Sequence, residues 1–283
     1  TFAPESATER MQSVINKGIS RNQILSTIKD AFSSGWETVK LYFLIGLPTE
    51  TDEDVKEIAE LVKQSLKTAL DYNRRASLNI SISTFVPKAH TPFQWERQIT
   101  IEEIQQKQKL ILDRIGRNNR INISFNSPEL SFLEGIFARG DRKLCQVLNE
   151  AHKLGCKLDG WNEHFNFSAW MTAFKRCRID PYAYIKERKI DQVFPYDHID
   201  TYITKSFLLS ERQKALNAEL TPDCRLGKCS NCGICNEGKS PKFDNSEKYH
   251  KRSLQISMIK NFHNESNISK AYRIRFRFAK KSE

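Results

Sequence analysis

The apolar positions of this chain change period along its length, and the changes mark its elements. After Thr51 they fall at Val55, Ile58, Ala59, Val62, Leu66 and Ala69, the spacing of a helix with one buried stripe. Residues 38–45, 78–86 and 121–125 alternate instead with period two, as strands do. In the first of these Leu41, Phe43 and Ile45 oppose Lys40 and Tyr42. In the second, Leu78, Ile80 and Ile82 oppose Asn79, Ser81 and Ser83; in the third, Ile121, Ile123 and Phe125 oppose Asn122 and Ser124. Ser6-x-x-Glu9, Ser20-x-x-Gln23, Thr51-x-x-Asp54 and Thr100-x-x-Glu103 have the form of capping boxes, in which a hydroxyl accepts from an unpaired N–H at a helix start. Gly18 and Gly35 stand where helix C-caps belong. Strand–helix–strand units of this length predict a parallel sheet in an α/β fold.

Parallel sheets are usually covered by helices on both faces and are apolar on both. Each strand here has one apolar and one polar face. Crossover helices must cover the first. The second predicts either the lumen of a partial parallel (β/α) barrel around a polar ligand, or a sheet with one face in water, which is rare for parallel strands. Beyond residue 128 the spacing turns mostly helical, with helices at 130–138, 142–154, 167–176 and 207–217. Trp161, Phe165, Phe167, Trp170 and Phe174 read as core, and His164 and His198 as hydrogen-bonded structural histidines.

Composition narrows the class. With 283 residues and 39% hydrophobic content the chain can bury a sizeable core. No apolar run is long enough to cross a bilayer and no signal-peptide pattern opens the chain, so a cytoplasmic protein with reduced thiols and no membrane partner is expected. Thr1-Phe2-Ala3-Pro4 already reads as the end of a strand, which suggests a fragment. The formal charge is +11, and the residues from Asn236 onward hold 12 Lys/Arg against 5 Asp/Glu. Such a tail could contact RNA or be a solvated linker; no stacking motif accompanies it.

Cys145, Cys156 and Cys177 sit in apolar helical contexts and read as core. Cys224, Cys229, Cys232 and Cys235 differ, for they form C-x4-C-x2-C-x2-C inside twelve residues. Thiolates two residues apart can converge on one ion, with Gly227 and Gly233 easing the turns and Arg225 and Lys228 offsetting charge. The C-x4-C-x2-C opening favours iron–sulfur, and zinc remains open. With all four positions supplied by protein, this is an accessory site.

Several stretches taken together resemble one family: Thr1-Phe2-Ala3-Pro4-Glu5, Glu9-Arg10-Met11, Val14 to Gly18, the run KLYFLIGLPTETDED at 40–54, and Phe85-Val86-Pro87 to Thr91-Pro92-Phe93. They are similar to the C-terminal half of a radical S-adenosylmethionine (radical SAM) barrel, closest to a bacterial branch in which a cobalamin-binding-like domain precedes the barrel. The resemblance runs on through Ala138-Arg139-Gly140-Asp141-Arg142, Trp161 and Trp170 to the cysteines, nearly the whole chain. It implies an enzyme that cleaves S-adenosylmethionine at a [4Fe–4S] cluster and starts radical chemistry on a substrate that the residues do not name, with cobalamin as a further cofactor to consider. The C-x3-C-x2-C motif that binds that cluster is absent here, and its place would be upstream of Thr1, so this fragment would be inactive alone.

By the same resemblance, Glu5 matches the polar residue near the cofactor's ribose and amino-acid portions. Lys40 and Tyr42 occupy the cofactor-facing side of their strand, although relatives often carry Asp where Tyr42 stands. Gly46 and Pro48 match the strand exit, and Phe85, Pro87 and Thr91 the adenine-side wall. The implied division is barrel at 1–128, helical extension at 129–220, a Cys-rich loop at 221–238, a linker at 239–268 and, at 269–283, the start of a further domain whose Tyr272 to Phe278 alternation carries an arginine face. Two other readings stay open: an RNA-binding module with a zinc knuckle and basic tail, and a metabolic barrel using Lys40 or Glu5 in acid–base work.

Overall fold

The structure, a computed structural model, describes residues 1–227 and 229–235. Lys228, the linker and the terminal alternation lie outside the described residues. The chain runs β1 (Phe2–Glu5), α1 (Glu9–Val14), α2 (Arg21–Ser33), β2 (Thr38–Ile45), α3 (Asp52–Tyr72), β3 (Ser77–Thr84), α4 (Ile101–Ile115), β4 (Ile121–Phe125), α5 (Pro128–Arg139), α6 (Leu144–Lys153), α7 (Phe167–Arg176), α8 (Tyr182–Ile185) and α9 (Lys205–Leu216). The four strands form one sheet in the order β1-β2-β3-β4, every neighbouring pair parallel. The α/β class and the parallel sheet are as the alternation predicts.

The two faces of the sheet separate as the residue pattern requires. Leu41, Phe43 and Ile45 of β2 and Leu78, Ile80 and Ile82 of β3 are 0–1% exposed. They pack with Ile28 and Phe32 of α2, Val55, Ile58 and Val62 of α3, and Ile104 and Ile111 of α4. The opposite face keeps Lys40, Tyr42, Asn79, Ser81 and Ser83 half-buried and Asn122 and Ser124 exposed. A second core joins Phe132 and Ile136 of α5 to Leu144 and Val147 of α6 and Trp170 and Phe174 of α7.

Capping explains most boundaries. Ser20, Thr51 and Thr100 close reciprocal boxes with Gln23, Asp54 and Glu103. Ser6 does not cap: it is buried, and its carbonyl is held by Gln12 Nε2 at 2.7 Å, so the turn starts later, where Thr8 Oγ1 accepts from the Met11 N–H. Gly35, at φ 92°, follows the α2 cap as expected, but α1 stops at Val14 and Gly18 lies beyond its cap, Ile15. The second strand ends at Thr84 rather than 86, although the Phe85 N–H still reaches the Ile45 carbonyl at 2.8 Å; Pro87 has no N–H to continue the ladder. Asp141 Oδ1 accepts from the Lys143 N–H and delays α6 to Leu144, whereas Thr204 starts α9 at Lys205 by accepting from Phe207.

Three expectations need correction. Trp161 is 62% exposed, outside the core that Trp170 and Phe174 enter. His164 and His198, expected to be hydrogen-bonded structural histidines, are exposed and their imidazoles make no hydrogen bond among the described residues. Cys145 is exposed, whereas Cys156 is buried and Cys177 packs partly buried against the second core. No helix among the described residues is long and apolar enough to cross a membrane.

Candidate functional site

The residues singled out in the sequence fall into four groups. On the polar face, ladder register aligns Lys40 with Asn79 and Asn122, and Tyr42 with Ser81 and Ser124. Lys40 pairs with no carboxylate among the described residues; its Nζ sits 4.6 Å from the centre of the Tyr42 ring, a cation–π contact that leaves the ammonium partly in water. Ser124 Oγ is committed to the Ile80 carbonyl at 3.2 Å. Glu5 ends β1 at φ 65°, and its carboxylate lies 3.4 Å from Lys17 Nζ. Glu5 is therefore an ion-paired rim residue.

The second group is the β2–α3 loop. Gly46 takes φ 81°, and a Cβ there would stand 2.5 Å from Ile99 Cδ1, so glycine is required by packing as well as by backbone conformation. Its N–H donates to Glu50 Oε2 at 2.7 Å, and Lys107 Nζ of α4 approaches the same oxygen at 3.1 Å. Burial pushes the Glu50 carboxyl up, and Lys107 and the Gly46 amide only partly oppose this. Pro48, Thr49 and this pair line a cleft of about 420 Å³ against α4. Arg97 binds Glu103 there through two nitrogens at 2.8 and 2.6 Å and holds that carboxyl down to about 2. Within the cleft Lys107 thus answers Glu50, and Arg97 answers Glu103.

Beside it, Asp54 ties the start of α3 to the start of α1. Its carboxylate accepts from the Thr51 N–H at 2.9 Å, the Thr51 hydroxyl at 2.7 Å, the Thr8 hydroxyl at 2.8 Å and Arg10 Nη2. Burial alone would raise the carboxyl, but these donors outweigh it and hold Asp54 below its ordinary value. A depressed folded value stabilises the protein above the unfolded carboxyl value, and that stability is lost as pH falls through the folded one. Asp54→Ala is expected to cost about 2–3 kcal/mol at neutral pH. Urea unfolding at pH 7 and at pH 3 checks this: the deficit should shrink at the lower pH, and an undiminished deficit would contradict the assignment.

Phe85, Pro87 and Thr91 sit at the exit of β3. Phe85 meets Phe93 edge-on, ring centres 5.7 Å apart, and packs with Leu47 and Met11; Pro87 is buried. The Thr91 hydroxyl is spent on the Lys88 carbonyl at 2.8 Å. Phe85 and Pro87 shape this corner, and Thr91 offers no free hydroxyl proton.

The last group is the cysteine loop, which returns to the segment after α1. The Thr221 N–H donates to Asn16 Oδ1 at 2.9 Å, and the Thr204 N–H to the Cys232 carbonyl at 2.9 Å. Gly233, at φ 101°, leaves no room for a Cβ, which would stand 2.6 Å from the Tyr202 carbonyl. Asn231 also takes a positive φ, 55°, and its N–H points to Cys229 Sγ at 3.4 Å. Gly227, by contrast, is not among the positive-φ glycines, so only Gly233 eases a turn. Arg225 engages Asp223, Nε to Oδ1 at 3.0 Å, rather than serving the thiols alone. The four cysteines are half-buried, and burial with the neighbouring Cys229, Cys232 and Cys224 pushes the Cys235 thiol up. Among the described residues no three His, Cys, Asp or Glu side chains are gathered tightly enough to hold an ion as placed.

The chain is 33% identical over 150 residues to the uncharacterized protein MJ0966 of Methanocaldococcus jannaschii, a match that takes in 53% of this chain and 32% of that protein. No protein-family model matches the chain, and no solved structure does. The chain therefore spans about a third of the relative it matches.

Glu50, Lys107 and the links from Asp54 to Thr8 and Arg10 went unread in the sequence. Lys107 had a signal: it lies three residues after Ile104 and four before Ile111, on the buried stripe of α4. A lysine at such a position needs a buried partner.

Proposed function

We propose that this chain is part of a radical SAM-type barrel enzyme whose polar sheet face lines the cofactor and substrate space, with an accessory metal centre at Cys224, Cys229, Cys232 and Cys235. One observation carries the reading: four parallel strands bury one face under helices and present Lys40, Tyr42, Asn79, Ser81 and Ser83 on the other. Parallel strands leave a hydrophilic face where they enclose something other than core. The ends of β1 and β2, where backbone leaves the ladder at Glu5 and Gly46, are where such folds bind ligands.

The donor set suits a metal. Four thiols within one docked loop, an amide turned to Cys229 Sγ, and positive φ at Asn231 and Gly233 are the features of a C-x2-C turn that wraps an ion. When bound, zinc would supply a structural staple and an iron–sulfur cluster an electron site. This chain's own residues would dock that loop against Thr204 and Asn16 and present the Lys40–Asn79–Asn122 row to a polar ligand.

The test uses the gene product with the sequence upstream of Thr1, purified anaerobically and reconstituted with iron and sulfide. With S-adenosylmethionine and a strong reductant it should release 5′-deoxyadenosine; none released from a protein carrying its cluster would sink the enzyme reading. For the cysteine loop, metal analysis of this chain should find about one zinc or an iron–sulfur absorbance per molecule, lost in Cys229→Ser. A Cys229→Ser chain with unchanged metal content would remove the accessory centre.

A further inference from the structure

Outside the sheet, the junction of α5 with the 182–196 segment holds two guanidinium groups that the fold leaves short of partners. Arg139, the last residue of α5, is 1% exposed. Its Nη2 donates to the Lys186 carbonyl at 3.0 Å, while Nε and Nη1 are buried with no hydrogen-bond acceptor among the described residues. Arg188 lies against it: its Nη2 donates to the Arg139 carbonyl, its guanidinium stacks 5.1 Å from the centre of the Phe194 ring, and its Nη1 is buried without an acceptor. Two like charges are thus driven together in a dry place. Burial first, then the Arg188 charge, push Arg139 down to about 10.

An unpaired buried guanidinium is among the costliest groups a fold can carry. No carboxylate is within ion-pair reach of either arginine among the described residues, and the nearby acids are engaged elsewhere. Asp141 takes the Lys143 N–H and the Tyr184 hydroxyl, Asp180 takes the Tyr182 N–H, and Glu187 approaches Arg212 at 3.5 Å. The Tyr196 hydroxyl, whose ionisation burial opposes, lies beside Arg188 and interacts with its side chain, and it feels the Arg139 charge as well, but as a neutral group it supplies neither arginine with countercharge. Both arginines line a cavity of about 470 Å³, whose wall also carries Lys143, Arg178 and Gln192 and the engaged carboxylates of Asp141, Asp180 and Glu187. That volume suits a small metabolite rather than a bare ion.

Local sequence enforces the arrangement. Gly140 admits no side chain, since a Cβ would stand 2.0 Å from Leu144 Cδ1 and 2.9 Å from the Ile136 carbonyl. The chain therefore turns tightly after Arg139, which keeps that guanidinium anchored at the helix end while Asp141 leaves for Tyr184.

We propose that this cavity binds the phosphoryl group of a small phosphorylated molecule, held by the unpaired nitrogens of Arg139 and Arg188 with Arg178 at the mouth. A phosphoryl dianion supplies the acceptors and the countercharge that the two planar forks lack, and guanidinium recognises it through paired hydrogen bonds. The proposal does not depend on the reading of the sheet face or of the cysteines.

Thermal unfolding of the full chain, with inorganic phosphate and pyrophosphate titrated against potassium chloride of equal ionic strength, tests it. Phosphate or pyrophosphate should raise the midpoint saturably while chloride does not. Arg188→Gln should weaken the effect about tenfold or more, and Arg188→Lys should fail to restore it. Should Arg188→Gln not fold, as judged by circular dichroism, Arg178→Ala at the exposed mouth should still weaken the effect several-fold. No phosphate-specific shift in the unaltered chain would mean that water alone satisfies the arginines, and would overturn the site. An equal shift in unaltered chain and in folded Arg188 and Arg178 variants would overturn it too, since binding would then lie elsewhere.

Discussion

Lys107→Met is expected to lower the unfolding free energy by about 3–5 kcal/mol, because it strips a buried carboxylate of its only close cation among the described residues. The Glu50 side chain is 3% exposed and that of Lys107 12%, with 3.1 Å between their charged atoms. Glu50 is already raised by burial, so its folded value lies above its unfolded one. An acid raised in the fold costs stability as pH climbs from the unfolded value through the folded value. Removing Lys107 carries the folded value higher and widens that window, so the variant's deficit should grow between mildly acidic and neutral pH. The double variant Glu50→Gln/Lys107→Met keeps an acceptor for the Gly46 N–H and should recover most of the loss. Guanidinium unfolding at pH 5 and pH 7.5 reads both effects. A single-variant loss under about 1 kcal/mol would show that water reaches the pair.

Phe43→Ala is expected to cost a further class of energy, about 3–5 kcal/mol from cavity formation under α2 and α3. Its ring is 1% exposed in the middle of β2. Tyr42, the next residue, lies half-buried on the other face, and Tyr42→Ala should cost only about 1–2 kcal/mol. The contrast measures the two-faced sheet directly. Equal costs would mean that the polar face is packed as tightly as the apolar one, which the proposed function does not allow.

Much of the fold was readable because periodicity and capping act locally. Strands 38–45 and 121–125 and helix 167–176 fall where the alternation and the three-and-four spacing put them. The misreadings arose where a distant partner decides. Ser6 has the form of a cap but is buried under Gln12, and Cys145 and Trp161 look apolar in sequence yet face solvent. For the candidate site, the polar face of the sheet was legible by alternation, and the cysteine loop by spacing. The Glu50–Lys107 and Arg139–Arg188 pairs were not, since each joins residues far apart in the chain. Both left a trace: Lys107 follows Ile104 by three, and Arg139 follows Ile136 by three, so each stands on an apolar stripe where a charge must be answered.

The bond from Thr221 to Asn16 joins positions 205 apart, and Thr204 grips the cysteine turn only once α9 has formed. Closing so wide a span carries an entropic cost that local helices and neighbouring strands never meet. The cysteine segment is thus the natural last piece to dock during folding, after the segments around Asn16 and Thr204 that hold it are in place. Loosening it at Asn16 should hasten unfolding and leave the speed of folding nearly unchanged.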